Sequence, residues 1–172
     1  MIYLDETVFT FSTFRSKGWA HNRERVRIND SDLQVQTMAV IAAISEDDGL
    51  IDYLVHPRAI NTEVFLAFVK QVAQKVNGSD FALFLDNLNV HKTKEAKLLF
   101  ESLNITEIFN VPYCPQFNGI ESYFSQIKAS YKKMLLKCVI EEVPYDTVSL
   151  IKESIQSISD DNVKRCVRYA LA

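Results

Sequence analysis

Residues that shape small, loop-rich or cross-linked proteins are scarce in this sequence. Its 172 residues include only four Gly, four Pro and three Cys. Cys114, Cys138 and Cys166 lie far apart, and their spacing matches neither a Cys-x-x-Cys motif nor a zinc site. An odd number of widely separated cysteines gives no sign of a disulfide framework and indicates a reducing compartment.

Long apolar runs and a signal sequence are also missing. No stretch approaches the roughly 20 apolar residues of a membrane helix, and no basic region followed by a hydrophobic segment opens the sequence. We therefore expect a protein that is neither secreted nor bound to a membrane. With 48% hydrophobic residues, the length suits a single domain that covers residues 1–172.

An excess of positive charge is absent as well. The formal net charge of -3 argues against a protein that holds nucleic acid by bulk charge. Basic residues are instead clustered: one cluster surrounds Arg15, a second follows Glu121 and includes Lys128 and Lys132, and a third lies near residue 165. Any single cluster suits a solvated face, whereas three clusters among separated carboxylates favour a polyanionic substrate.

The apolar pattern of the first third of the chain predicts strands. Residues 1–5 are typical of a strand, residues 8–20 suit a second antiparallel strand, and residues 21–33 form a polar loop. Two apolar runs, 35–45 and 49–56, are joined by an Asp-Gly turn that favours a hairpin. We predict a three-stranded antiparallel meander here.

After Pro57 the apolar period changes. Asn61 is the predicted cap of a helix that stops at 77–78, and it is followed by a strand at 81–85 and a polar loop at 86–91. A helix from about 92 to 103, a strand at 105–111, a helix beginning near Glu121 and a helical tail at 145–172 complete the prediction. The expected fold is α/β, a mixed five-stranded sheet of meander and parallel strands flanked by helices.

Glu121 stands where a loop rich in Pro and Asn gives way to an amphipathic helix. At 100° per residue, Glu121, Lys128 and Lys132 share one shoulder of that helix, beside its apolar face. Two interpretations are open for the carboxylate. Either it is a ligand, or it forms a capping box with Asn118 as N-cap and favours the helix dipole.

Two further acidic residues end short apolar runs. Asp5 follows Ile-Tyr-Leu and Asp86 follows Leu-Phe-Leu, as expected where central strands reach the edge of a covered sheet. Each Asp alone also suits a turn or an N-cap. If the strands are neighbours, the two carboxylates repel each other unless a cation lies between them. Oxygen ligands without a His or Cys cage suit Mg²⁺ or Mn²⁺, and two such ions support phosphodiester cleavage and strand transfer.

Three segments together resemble a known family. Asp5-Glu6, then Asp86-Asn-Leu-Asn-Val-His91, then Pro112-Tyr-Cys-Pro-Gln-Phe-Asn-Gly-Ile-Glu121 are similar to the catalytic domain of mariner-like transposases and their bacterial insertion-sequence relatives, and 34 residues lie between Asp86 and Glu121. The resemblance implies a ribonuclease H-like fold and an Asp-Asp-Glu site with two Mg²⁺ (or Mn²⁺) ions. It places the catalytic and metal-binding roles on Asp5, Asp86 and Glu121.

The same resemblance implies DNA as the partner, both transposon ends and target. We assign DNA contacts to Arg15, Asn87, His91, Lys128 and Lys132. A homodimer is among the assemblies that the resemblance allows, and the expected location is the nucleus in a eukaryote or the cytoplasm in a bacterium.

The sequence departs from the family pattern at three positions. Gly119 stands where Pro is usual, Cys114 where Ser is usual and Phe124 where Trp is usual. None of these changes removes a metal ligand, but Gly119 is expected to loosen the helix start that aims Glu121. An N-terminal helix-turn-helix region is expected to be separate or missing, because the first catalytic strand begins directly after Met1.

Three functions remain open from the sequence. The first is a metal-dependent transposase or nuclease domain. The second is a domesticated or decayed domain that binds DNA or partners without chemistry. The third, an aspartyl phosphatase with Asp5 as nucleophile, is disfavoured because that chemistry uses a second Asp two residues on, where this chain has Thr7.

Overall fold

The computed structural model describes residues 1–10, 36–76 and 80–170. Within these ranges the strands are Ile2–Phe9 (β1), Met38–Ser45 (β2), Gly49–His56 (β3), Phe81–Leu85 (β4) and Ile105–Phe109 (β5). The α-helices are Thr62–Lys75 (α1), Lys94–Ser102 (α2), Gly119–Ile140 (α3), Thr147–Gln156 (α4) and Asp160–Ala170 (α5). The strands form one sheet in the order β3-β2-β1-β4-β5.

The pairing of the sheet confirms the predicted mixture of antiparallel and parallel strands. β1, β2 and β3 form the antiparallel meander, whereas β1 pairs with β4 and β4 pairs with β5 in parallel. The β2–β3 turn ends at Gly49, whose φ of 80° is a backbone conformation that glycine adopts without steric cost. The predicted α/β fold with a five-stranded sheet is confirmed.

Helices cover both faces of the sheet, which explains the continuous apolar runs of its central strands. Along β1, Tyr3 and Phe9 pack in a core with α3, α4 and α5, while Ile2 and Leu4 pack in a second core with α1 and α2. The alternation of side chains therefore assigns odd-numbered β1 residues to the α3 side and even-numbered ones to the α1 side.

The first strand is longer than predicted. β1 continues past Asp5 to Phe9 because Val8 and Phe9 pair with Ala39 and Met38 of β2. Asp5 therefore lies in the middle of a strand and not at its end. The second strand predicted at 8–20 is wrong for Val8 and Phe9, and residues 11–20, like the predicted loop at 21–33, lie outside the described residues.

The helices follow the predicted order with sharper boundaries. The Asn61 side chain caps α1 by accepting a hydrogen bond from the Val64 N–H at 2.9 Å. The predicted loop at 86–91 contains a 3₁₀ turn, Asn89–Lys92, and α2 starts only after Thr93, whose hydroxyl caps it. The helical tail is broken at residues 157–159 into α4 and α5. Among the described residues, no helix combines the length and apolar character needed to span a membrane.

Candidate active site

The register of the sheet brings Asp5 level with Asp86. β1 and β4 pair at Ile2 with Leu83 and at Tyr3 with Phe84, and the same offset continued along both segments aligns Asp5 with Asp86. β4 ends at Leu85, so Asp86 leaves the sheet at the carboxyl end of a parallel strand. This is the position where open α/β sheets bind ligands.

Asp5 is a buried carboxylate, only 5% exposed. Its Oδ1 accepts the Glu6 N–H at 2.7 Å, and its Oδ2 accepts a hydrogen bond from the Asn118 side-chain amide at 2.8 Å. Burial raises the pKa of Asp5 to about 7; the Glu6 N–H opposes the rise, and the negative charges of Asp86, Glu6 and Glu121 add to it. The site therefore concentrates negative charge on a carboxylate that is poorly solvated.

The pKa of Asp86 is shifted in the opposite direction to that of Asp5. Partial burial acts to raise the pKa of Asp86, but a hydrogen bond from His91, the Leu88 N–H and the nearby charge of Lys92 together lower it. The His91 Nδ1 lies 2.9 Å from Asp86 Oδ1, and the Leu88 N–H donates to the same oxygen at 2.9 Å. Asp86 is therefore ionised at neutral pH while Asp5 lies near its midpoint.

His91 joins Asp86 to Glu6 beneath the site. Its Nε2 lies 3.2 Å from Glu6 Oε1, and its ring packs on Phe65 with centroids 4.6 Å apart. Burial acts to lower the pKa of His91, but the hydrogen bonds and charges of Asp86 and Glu6 raise it to about 10, so the ring is a buried imidazolium. Because Glu6 is even-numbered on β1, this ion-paired chain lies on the α1 side of the sheet.

The burial of His91 corrects its predicted role. A side chain that is fully buried, with both nitrogens facing carboxylates, has no donor left for a DNA phosphate. His91 orients Asp86 from behind. Sequence spacing carries no signal for this role, because the partner Glu6 lies 85 residues away.

Glu121 lies in the first turn of α3, and its side chain is exposed. The structure does not support the capping-box interpretation. Asn118 is the N-cap residue, but its side chain makes no cap hydrogen bond, and its backbone N–H donates to the Pro115 carbonyl oxygen and not to Glu121. The Asn118 amide is directed to Asp5 instead, a contact that sequence spacing did not reveal.

The start of α3 is fixed by close packing on α5. A Cβ atom added to Gly119 would lie 2.8 Å from the Val167 Cα and 2.9 Å from the Cys166 carbonyl oxygen. Distances this short to backbone atoms admit only glycine. The sequence predicted that Gly119 loosens the helix start. In the structure, the absence of a side chain at Gly119 instead allows α5 to pack against the helix start and hold it.

The three predicted carboxylates line one cavity of about 430 Å³. Its described lining residues are Asp5, Asp86, Asn87, Leu88, Asn110, Val111, Pro112, Tyr113, Cys114, Pro115, Asn118 and Glu121. Three of these are acidic and none is Lys or Arg. The cavity therefore has an acidic floor with no side-chain cation from the described lining residues.

The donor set fits divalent cations that prefer oxygen ligands. Besides the carboxylates, the side-chain oxygens of Asn110 and Asn118 are buried and have no hydrogen-bond partner among the described residues. As arranged here, however, no three His, Cys, Asp or Glu side chains in the described part of the chain are close enough to hold a metal ion.

The remaining predicted DNA contacts are distributed unevenly. Asn87 lines the cavity, where its amide donates to the Asn110 carbonyl oxygen at 2.6 Å and its oxygen accepts from Lys92 at 2.7 Å. Lys128 and Lys132 are half-exposed on the same side of α3 as Glu121. Arg15 lies outside the described residues.

Comparisons with known proteins agree with this architecture. A family model described as DDE superfamily endonuclease matches residues 1–141. Among curated proteins, no relative is similar enough to match.

Solved structures share the fold at low sequence identity. The Mos1 strand transfer complex has a TM-score of 0.68 at 15% identity, over 97% of this chain and 50% of that chain. The Mos1 transposase catalytic domain with raltegravir and Mn has a TM-score of 0.64 at 11% identity, over 97% and 75%. The simian T-cell lymphotropic virus intasome with PP2A regulatory subunit B56 gamma has a TM-score of 0.62 at 12% identity, over 91% and 47%. This chain thus spans half the length of the Mos1 chain in the first of these complexes.

Proposed function

The chain belongs to the DDE superfamily endonucleases, and from this premise we propose that it is the catalytic domain of a transposase that cleaves DNA and joins DNA ends. Asp5, Asp86 and Glu121 are the proposed catalytic residues. The observation that carries the proposal is their convergence on one cavity from three separate elements, β1, the end of β4 and the start of α3.

The same three residues are the proposed ligands of two Mg²⁺ or Mn²⁺ ions. When bound, such ions activate a water or a 3′-hydroxyl and stabilise the leaving oxygen of an in-line displacement at phosphorus. The raised pKa of Asp5 supports the assignment, because a buried carboxylate beside other carboxylates gains most from a nearby cation. The similar Mos1 catalytic domain with Mn supports the same class of metal.

Other residues hold these carboxylates in place. Asn118 and the Glu6 N–H each donate to one oxygen of Asp5 and fix the plane of its carboxyl group. His91, held in turn by Glu6, donates to Asp86 and keeps it ionised. These contacts orient two of the three proposed ligands before DNA binds.

DNA is the proposed partner, with transposon ends and target as the two substrates. The similarity to a Mos1 strand transfer complex supports this. The chain spans only half of that Mos1 chain. A separate region that recognises the transposon ends and a homodimer both stay predictions.

The test is nicking of plasmid DNA in Mn²⁺, with and without EDTA. We expect cleavage that EDTA abolishes and that Asp5→Asn, Asp86→Asn and Glu121→Gln each reduce by orders of magnitude, because each loses a charged oxygen donor. Asp47→Asn in the β2–β3 turn and Glu101→Gln on α2 are exposed matched controls that should retain activity. A Glu121→Gln protein that cleaves within a few-fold of the parent would remove Glu121 from the site.

DNA binding without chemistry is the second candidate function. One observation favours it: in the described residues, no three ligating side chains stand ready to hold a metal. A parent protein that binds plasmid DNA and nicks it with neither Mn²⁺ nor Mg²⁺ would support this candidate over the first.

A further inference from the structure

Tyr113 is an aromatic residue held out in solvent at the mouth of the carboxylate cavity. Its side chain is fully exposed, although tyrosine usually buries its ring. Its backbone φ of 61° lies in the left-handed region that bulky residues rarely adopt. An exposed aromatic ring and a left-handed backbone conformation both reduce the stability of the fold. Strained backbone positions of this kind concentrate at functional sites.

Local hydrogen bonds keep the residues around Tyr113 in place. The Asn110 side-chain amide donates to the Cys114 carbonyl oxygen at 3.0 Å, and the Cys114 N–H donates to the Val111 carbonyl oxygen at 3.2 Å. The Asn110 N–H is itself tied to the Leu85 carbonyl oxygen at the end of β4 at 2.8 Å. The exposed ring therefore sits on a closed turn that is anchored to the strand preceding Asp86.

The rim around Tyr113 is apolar while the floor of the cavity is acidic. Leu88 and Val111 line the same cavity and are about half exposed. No Lys or Arg occurs among the described lining residues, and Lys92, which lies beside the cavity, donates to the Asn87 side-chain oxygen. An exposed ring with apolar neighbours matches the face of a nucleobase, which stacks on aromatic side chains whatever its sequence.

We propose that Tyr113 is a stacking platform for one unpaired base of the DNA substrate, at the nucleotide that flanks the phosphate held over Asp5 and Asp86. The inference rests on the proposed function and adds a base-binding subsite to it. A base inside a duplex already has both faces covered by its neighbours, so only an unstacked base can lie on the ring. The preferred substrate is therefore DNA that is nicked, frayed or flipped at the cleavage position.

A fluorescent base tests the platform without requiring cleavage. The probe is a short duplex with one unpaired 2-aminopurine beside a nick, whose emission is quenched when the base stacks on an aromatic ring. Binding is measured in Ca²⁺, which takes oxygen ligands as Mg²⁺ does but at longer distances. The variants are Tyr113→Ala and Tyr113→Phe, with Leu98→Ala, an exposed apolar position on α2, as the matched control.

We expect the parent, Tyr113→Phe and Leu98→Ala to quench the probe alike. Tyr113→Ala should lose the quenching and bind this probe about 5- to 150-fold more weakly, the range for one stacked base. Its affinity for a fully paired duplex should change by less than about twofold, because no unpaired base is then present to stack.

Three results would overturn the proposal. In the first, Tyr113→Ala quenches and binds as the parent does. In the second, Tyr113→Phe fails as Tyr113→Ala does, which would assign the effect to the hydroxyl. In the third, quenching survives in Tyr113→Ala but is lost in Tyr169→Ala, which would place the base in the neighbouring groove lined by Tyr169 and Glu121.

The outcome separates this inference from the proposed chemistry. If the parent nicks plasmid DNA through Asp5 and Asp86 while Tyr113→Ala behaves as the parent on the probe, only the platform fails. If no metal supports cleavage while quenching depends on the Tyr113 ring, the platform stands and the proposed cleavage fails.

Discussion

At the scale of single residues, the surroundings of Asp5 disfavour the ionised form of its carboxyl group. It is buried, and the charges of Asp86 and Glu121 add to the rise of its pKa to about 7. A group whose pKa is higher in the folded state than in the unfolded chain favours folding at low pH and loses that contribution as pH rises. For Asp5 the window runs from about pH 4, where the unfolded chain ionises, to about pH 7.

Asp5→Asn should therefore stabilise the metal-free protein at neutral pH. The substitution removes the titration, so the difference in melting temperature between variant and parent in EDTA should grow from pH 4 to pH 7 and then level off. The gain is at most a few kcal/mol, since about 1.4 kcal/mol corresponds to one pKa unit. The measurement is thermal denaturation across this pH range.

The contribution of His91 cancels in this comparison. Its raised pKa stabilises the fold below about pH 6.5 and is lost as pH rises towards 10, but this occurs equally in both proteins. Asp47→Asn in the exposed turn is the matched substitution and should follow the parent. An Asp5→Asn protein that melts well below the parent would show that Asp5 is a structural partner of Asn118.

The sequence predicted the three acidic residues but not what surrounds them. Asp5 and Asp86 each end an apolar run. This pattern indicates a binding site when the two strands are neighbours in the sheet. His91 and Asn118 carried no such signal, because their partners Glu6 and Asp5 lie 85 and 113 residues away. Long-range hydrogen bonds leave no periodic trace in a sequence.

At the scale of elements, α3 and α5 decide where Glu121 lies. α5 comes after the residues that the family model matches, yet it packs against the first turn of α3 at Gly119. The Gln126 amide donates to the Cys166 sulfur at 3.1 Å, about two turns further along α3. The contact ties the Glu121 turn to the far end of the chain.

Gly119→Ala should displace the start of α3. Its Cβ would meet the backbone of Val167 and Cys166, which cannot rotate away, so we expect a loss of about 1–3 kcal/mol in stability. Because Glu121 moves with the helix start, the Mn²⁺ concentration for half-maximal nicking should rise severalfold. A Mn²⁺ titration of nicking rate and a thermal melt measure the two effects.

Gly49→Ala is the control for stability alone. It strains a residue with φ of 80° and crowds Asp160 at the other end of α5, far along that helix from Val167. We expect a similar loss of stability with an unchanged requirement for Mn²⁺. If both variants need the same Mn²⁺ as the parent, α5 supports the fold but does not position Glu121.

Periodicity predicted the helices well and the end of β1 poorly. Asn61 and the apolar repeat after it gave α1 almost to the residue. The predicted first strand stops at Asp5, because a polar pair after an apolar run normally ends a strand. Here Asp5 and Glu6 remain in the strand since each points to a different face and finds partners there.

At the scale of the whole molecule, the described basic side chains lie outside the lining of the acidic cavity. The net charge is -3 and the cavity floor is acidic, so the proposed binding to DNA would depend on local basic groups and on the proposed metal ions. Lys128 and Lys132 are half-exposed on the shoulder of α3 that carries Glu121. They are the lysines that we expect to meet DNA phosphates beside the cavity.

Replacing Lys128 and Lys132 together by Ala should weaken DNA binding and flatten its salt dependence. Two lost phosphate contacts correspond to about two fewer released counterions, so the slope of log affinity against log salt should fall by roughly 1.8. Sequence preference should not change. A matched double variant, Lys94→Ala with Lys97→Ala on exposed α2, should keep the parent slope. An equal slope in both double variants would show that the α3 lysines only solvate their helix.

The topology of the sheet also determines how far apart in the sequence Asp5 and Asp86 lie when they are brought together. Residues that pair between β1 and β2 lie at most 43 positions apart in the sequence, whereas Ile2 and its β4 partner Leu83 lie 81 positions apart, and β1 and β4 pair at two positions. Closing a long loop costs chain entropy before the new contact contributes any favourable free energy. Contacts between residues far apart in the sequence are therefore expected to form late in folding. A chain in which β1, β2 and β3 have paired but β4 has not yet joined them would lack Asp86 beside Asp5, and the proposed site would be incomplete.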